Sequence, residues 1–154
     1  MHRVTRLIGI VLLIMAATAQ GDVAPKAEFI NSPEAQKRGF PLSEAVRAGD
    51  LLFLSGQIGD DRATGKIVPG GIAAESRQVL QHIKTLLENN GSSLRDVVKC
   101  TVFLADVAEW AAFNTVYKEF FSQPFPARSA LGANGLALNA RVEVECIAYV
   151  PNRK

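Results

Sequence analysis

The sequence predicts a two-layer α+β domain, a mixed β-sheet carrying two helices on one face. Two stretches hold an apolar stripe at helical spacing, Val79, Leu80, Ile83, Leu86 and Leu87 in one and Trp110, Phe113, Tyr117, Phe120 and Phe121 in the other. Strand-like runs precede, separate and follow them. The clearest are residues 97–104, rich in β-branched side chains, and the alternating run 141–150. Each helix therefore bridges two strands, and crossovers of one hand set both helices on the same side of the sheet.

The chain opens with Arg3 and Arg6 and no acid, then an unbroken apolar run from Leu7 to Met15, then Ala17-Thr18-Ala19. A charged start, a short apolar stretch and an A-x-A exit read as a secretory signal peptide over residues 1–19. The apolar part falls short of the roughly 20 residues of an ordinary span, and an uncleaved anchor is the competing reading. The segment holds no cysteine that could carry a lipid. An exported protein, periplasmic or secreted and free of the membrane after cleavage, is the expectation. Residues 20–40 are polar and contain Pro25 and Pro33, which predicts an irregular surface segment ahead of a single domain over 41–154.

The periodic part begins at Ala45. Residues 50–55 read as a strand apolar on both faces, continued by Gly56-Gln57-Ile58. The cluster 60–65 turns the chain back into Lys66-Ile67-Val68, a predicted hairpin. The first helix follows and stops at Asn89-Asn90-Gly91, a left-handed terminator. His82 falls at the edge of its buried stripe. After the β-branched strand, Asp106 with Glu109 resembles a capping box. The aromatic stripe beyond it is read as core packing and not as a cofactor box, and Pro124 and Pro126 end that helix. Arg128-Ser129-Ala130-Leu131 reads as a short strand, Gly132 to Asn139 as loose, and 141–150 as the last strand.

Composition excludes several functions. About 135 residues after cleavage suit one domain with one core. Without Arg3 and Arg6 the formal charge falls from +2 to 0, and a neutral chain with no basic run lacks the electrostatic footprint of a nucleic-acid binder. One histidine and two separated cysteines beyond the signal argue against a metal site. Cys100 and Cys146 both fall in apolar rows, where free buried thiols are the default. A disulfide would require neighbouring strands in suitable register.

Strand faces point to an assembly. Val142, Val144, Cys146 and Ala148 form one row of the last strand, to be packed under the helices, against Arg141, Glu143, Glu145, Ile147 and Tyr149 on the other. The first strand sets Leu51 and Phe53 against Leu52 and Leu54, so both faces of the sheet are partly apolar. Two helices cover only one. A solvated face is the simpler alternative. A second copy of the chain is the economical cover, and a homo-oligomer with charged residues in clefts between subunits is expected.

Several segments together resemble the Rid (reactive intermediate deaminase, YjgF-like) family. They are Ser55-Gly56-Gln57-Ile58, Thr64-Gly65, Val97-Val98-Lys99, Thr101-Val102-Phe103-Leu104 with Asp106, Asn114, Tyr117, Pro126-Ala127-Arg128-Ser129 and Val142-Glu143-Val144-Glu145. The resemblance runs from about Pro41 to Val150. It implies a chorismate-mutase-like fold, a homotrimer with ligand clefts at its interfaces, and cofactor-free hydrolysis of small 2-imino acids to 2-oxo acids and ammonia. It further implies Arg128 as carboxylate clamp, Glu143 as the acid that orients water, and Ser55, Gly56 and Asn114 as substrate-binding residues. The chemistry suits those groups, since the planar guanidinium grips a carboxylate with two parallel hydrogen bonds and a carboxylate relays protons. Structural readings compete: Arg128 as an interface ion pair, Glu143 as partner of Arg141 or Lys99, Ser55 as a strand-end hydroxyl. A non-catalytic small-ligand-binding or holdase protein is the alternative function. The family's older ribonuclease label finds little support in a neutral chain without a histidine pair. Leu42 after Pro41, Ala130 two residues beyond Arg128, and the segment 132–135 depart from the family pattern.

Overall fold

The computed structural model describes residues 26–150. The proposed signal peptide lies outside them. The elements in chain order are β1 (Glu28–Ile30), α1 (Pro33–Arg38), β2 (Ala45–Ala48), β3 (Leu51–Leu54), β4 (Gln57–Ile58), β5 (Asp60–Asp61), β6 (Lys66–Ile67), α2 (Gly71–Asn89), β7 (Val97–Leu104), α3 (Trp110–Phe120), β8 (Ala127–Gly132) and β9 (Val142–Tyr149). The main sheet runs β1-β2-β3-β9-β7-β8, with β4 also pairing to β9, and β5 with β6 forms a separate small hairpin. Among the described residues only β7 and β8 pair in parallel, and every other pairing is antiparallel. A mixed sheet with α2 and α3 packed against it is the predicted class, and α2 contacts both β9 and α3.

The core lies between sheet and helices. Leu52, Leu54, Val102, Leu104, Val142, Val144 and Ala148 project from the strands onto Val79, Leu80, Ile83 and Leu87 of α2 and Phe113 and Val116 of α3, all buried. The alternation expected of the last strand is found: the valine row is fully buried, while Glu143, Glu145, Ile147 and Tyr149 are partly or well exposed. Leu51 and Phe53 open onto that second face.

Four expectations are corrected. The segment before Pro41 is not irregular, because Glu28–Ile30 joins the sheet as an edge strand on β2 and residues 33–38 form a helical turn. Local chemistry explains the turn: the Ser32 hydroxyl caps it by accepting from Ala35 N–H, Pro33 opens it, and Gly39 closes it at φ 66°. The first long hairpin is β2 with β3, folded over a two-residue turn in which Gly49 takes φ 60°. The predicted pairing of 50–58 with 66–68 reduces to the small β5–β6 hairpin.

The strand read as continuous through Ile58 is broken. Leu51 pairs with Tyr149, but Gln57 pairs with Val144, so one extra residue is inserted at Ser55–Gly56. This is a β-bulge, and it turns the following side chains to the other face. Finally, Cys100 and Cys146 are not free thiols. They are direct cross-strand partners in β7 and β9, 4.1 Å apart at Cα, and form a disulfide beneath the helices. Burial is as expected for both; their neighbourhood is what distant sequence positions do not reveal.

Candidate functional site

Arg128 stands in the edge strand β8, in register with Cys100 of β7. Side chains of paired residues share a face, so Arg128 projects to the helix side, as the buried cysteines do. There α3 receives it. The guanidinium carbon lies 4.6 Å from the Tyr117 ring centre and 5.6 Å from that of Phe113, and Nη2 donates to Asn114 Oδ1 at 2.6 Å. None of the ion pairs formed among the described residues involves Arg128. The guanidinium is thus held by aromatic faces and a neutral amide.

Its cavity, about 350 Å³, is lined by Trp110, Asn114, Tyr117 and Lys118 of α3 and by Phe125, Pro126, Arg128 and Ala130. The four helical positions recur at i, i+4, i+7 and i+8, one stripe of α3. Tyr117 is stacked on Phe121, and burial pushes its phenol up to about 12 against the opposing pull of Arg128, so it stays protonated at neutral pH. The aromatic stripe expected to be core is divided: Phe113, Tyr117 and Phe121 are buried, but Trp110 is 41% exposed at the cavity mouth. Helical periodicity alone does not separate a core wall from a cavity wall at the sheet edge. Trp110, Lys118 and Phe125 are the cavity residues that sequence reasoning left out.

Glu143 lies elsewhere. It pairs with Phe103, which pairs with Leu131, three positions along the strand from the Arg128–Cys100–Cys146 line. An odd offset sends its side chain to the opposite face of the sheet. There it adjoins Gly56 so closely that a Cβ on that glycine would sit 2.0 Å from Glu143 Oε1. Burial, helped by Glu145, raises its carboxyl above the usual range. Both suggested partners are engaged without it: Lys99 Nζ donates to Ser129 Oγ at 2.7 Å, and Arg141 Nε donates to both carboxylate oxygens of Glu109 at 2.9 and 3.0 Å. Glu109, expected to close a capping box, is spent on that pair, while Asp106 does accept from Ala108 N–H.

The Ser55 hydroxyl donates to the Ser43 carbonyl at 2.6 Å, and the Gln57 amide donates to the carbonyls of Ser55 and Gly56. The bulge is thus pinned from both sides. Within one chain, Arg128 and Asn114 form one group and Glu143 with Ser55–Gly56 another, separated by the thickness of the sheet. His82 belongs to neither. It is nearly buried beside Ile58, Arg62 and Gln78, and burial, then Arg62, lowers its pKa.

Comparison with known proteins bears on this layout. The family model described as endoribonuclease L-PSP matches residues 30–150. A RutC family protein of Pyrococcus horikoshii is 45% identical over 122 residues, covering 79% of this chain and 97% of that one. A 2-iminobutanoate/2-iminopropanoate deaminase of Dermatophagoides farinae is 41% identical over 128 residues, 83% of this chain and 99% of that one. Among solved structures, the yeast protein YEO7 superposes with a TM-score of 0.75 at 38% identity, covering 81% of this chain and 99% of that one. The fold, the match along nearly the whole described chain and these identities together make the chain a member of the endoribonuclease L-PSP family, the Rid or YjgF-like group.

Proposed function

We propose that the chain hydrolyses small 2-imino acids to 2-oxo acids and ammonia, with Arg128 holding the substrate carboxylate. The observation that carries this reading is the guanidinium lining a cavity and paired with no described acid. The deaminase names borne by relatives about 40% identical support it. In the reaction, water adds to the imine carbon and the nitrogen takes up a proton. The resulting tetrahedral carbon then expels ammonia and leaves a carbonyl. Arg128 fixes the carboxylate so that the neighbouring carbon faces a held water, and a carboxylate beside that water takes its proton and returns one to nitrogen.

Glu143 is the carboxylate proposed for that step. Since it sits on the far face of its own sheet, it acts on a substrate held by another copy, in a homotrimer whose interfaces join an Arg128 cavity to a neighbour's Gly56–Glu143 bulge. The apolar second face, with Leu51 and Phe53 open, supports such a cover. The experiment is complementation. Imines generated in situ by an amino-acid oxidase are supplied to Arg128→Ala, to Glu143→Gln and to the two coexpressed. Each variant alone is expected to lose most of its activity, and the mixture to regain part of it. A mixture as inactive as its parts would exclude a shared site.

Two expected results follow from the Glu143 surroundings. Its raised pKa means the reactive carboxylate forms only above the ordinary carboxylate range of about 4.3. The kcat/KM profile should therefore rise with pH through a midpoint above that value, and Glu143→Gln should abolish the rise. Gly56→Ala drives a methyl group into the far end of a flexible side chain. Stability should change by less than about 1 kcal/mol, while displacement of the carboxylate lowers turnover by roughly ten- to a hundredfold. Thermal melts and initial rates measured on the same preparation separate the two effects.

We further propose export to a periplasmic or external compartment, cleared of the membrane by removal of residues 1–19. The Cys100–Cys146 disulfide supports this, because such bonds persist where the surroundings are oxidising.

A further inference from the structure

We propose that Trp110 and Phe125 form a side-chain wall of the Arg128 cavity, and that the acid bound there carries a bulky apolar group, branched or aromatic. The inference rests on the reading of Arg128 as carboxylate clamp and names the substrate class. Two observations carry it. Trp110 and Phe125 are 41% and 43% exposed, although both border the cavity and neither is needed to fill the core. Large aromatics left open beside a fixed charge are a recognition surface for a ligand with one charged and one apolar end.

Ala130, two residues beyond Arg128 on the same face of β8, is a small side chain on the cavity lining. With a three-carbon acid the aromatic wall would stay wet, whereas a branched or aromatic group would cover it. Among the described residues Lys118 is the one other charged residue lining this cavity, so a second carboxylate on the ligand is the rival occupant and becomes an outcome of the test.

Trp110 is the only tryptophan in the chain, so its fluorescence reports on this wall directly. The intact protein is titrated with pyruvate, 4-methyl-2-oxopentanoate and oxaloacetate. The branched acid is expected to change the emission and to bind about tenfold or more tightly than pyruvate. In parallel, kcat/KM is compared for imines generated from phenylalanine, leucine and alanine. A preference of about tenfold or more for the two larger ones is expected. Trp110→Ala should collapse that ratio toward one, and Trp110→Phe should retain it.

Pyruvate binding as tightly as the branched acid, or oxaloacetate binding best, overturns the proposal, as does a ratio unchanged in Trp110→Ala. Should that variant fail to fold, the wild-type titration and Trp110→Phe decide alone. Tight binding of the branched acid without imine turnover defeats the deaminase reading and leaves this one standing. Turnover without side-chain preference does the reverse.

Discussion

Arg128→Ala is expected to lower kcat/KM for an imino acid by about a hundred- to a thousandfold, with little loss of fold. A hydrogen bond to a charged group contributes about 1.5–3 kcal/mol, and the guanidinium offers two parallel ones to a carboxylate. Losing about 3–4 kcal/mol of binding at the transition state is worth two to three powers of ten. Stability changes little, because the side chain is only part-buried and what it gives up is one hydrogen bond to Asn114 and ring contacts of about 0.5–1 kcal/mol. Arg128→Lys keeps the charge and loses the fork, so it should fall between. Imines also hydrolyse in water unaided, and the enzyme-free rate must be subtracted. Equal rates for wild type and Arg128→Ala would end the catalytic reading.

Removing the disulfide should give the largest change in stability. Cys100 and Cys146 are 46 residues apart in sequence, and closing a loop of that length withdraws about 4 kcal/mol of chain entropy from the unfolded state. Measured losses run nearer 2–4 kcal/mol, which for a domain of this size lowers the melting temperature by about 10 °C. The double variant Cys100→Ala, Cys146→Ala should show that drop and be indifferent to reductant. Wild type should approach it only after reduction under conditions that open the core, since both sulfur-bearing residues are almost fully buried. A wild-type melt that matches the double variant in oxidising buffer would contradict the bond.

What the sequence disclosed divides by distance along the chain. The strand 97–104 and the helix closed by Gly91 were legible because alternation, helical spacing and a left-handed stop are local signals, and β7 and α2 appear with those limits. The turn at Ser32-Pro33 and its Gly39 cap were equally local, but the surrounding polarity hid them. Register was not legible. Neither the one-residue bulge at Ser55–Gly56 nor the alignment of Cys100 with Cys146 leaves a trace in either strand alone, because both depend on pairing with a distant partner. The site divides in the same way. Arg128, Asn114 and Glu143 were reached through family resemblance; the face of Glu143 was legible in the alternation of 141–150, whereas that of Arg128 needed the pairing of β8 with β7.

The placement of Arg128 and Glu143 on opposite sides of one sheet has an evolutionary corollary. In the proposed reaction the groups for ligand grip and proton handling lie on opposite faces inside a subunit, so a replacement at one leaves the fold around the other in place within that chain. On that proposal anion recognition outlives turnover: a conservative exchange at position 143 would remove the proton relay and leave the Arg128 grip in place.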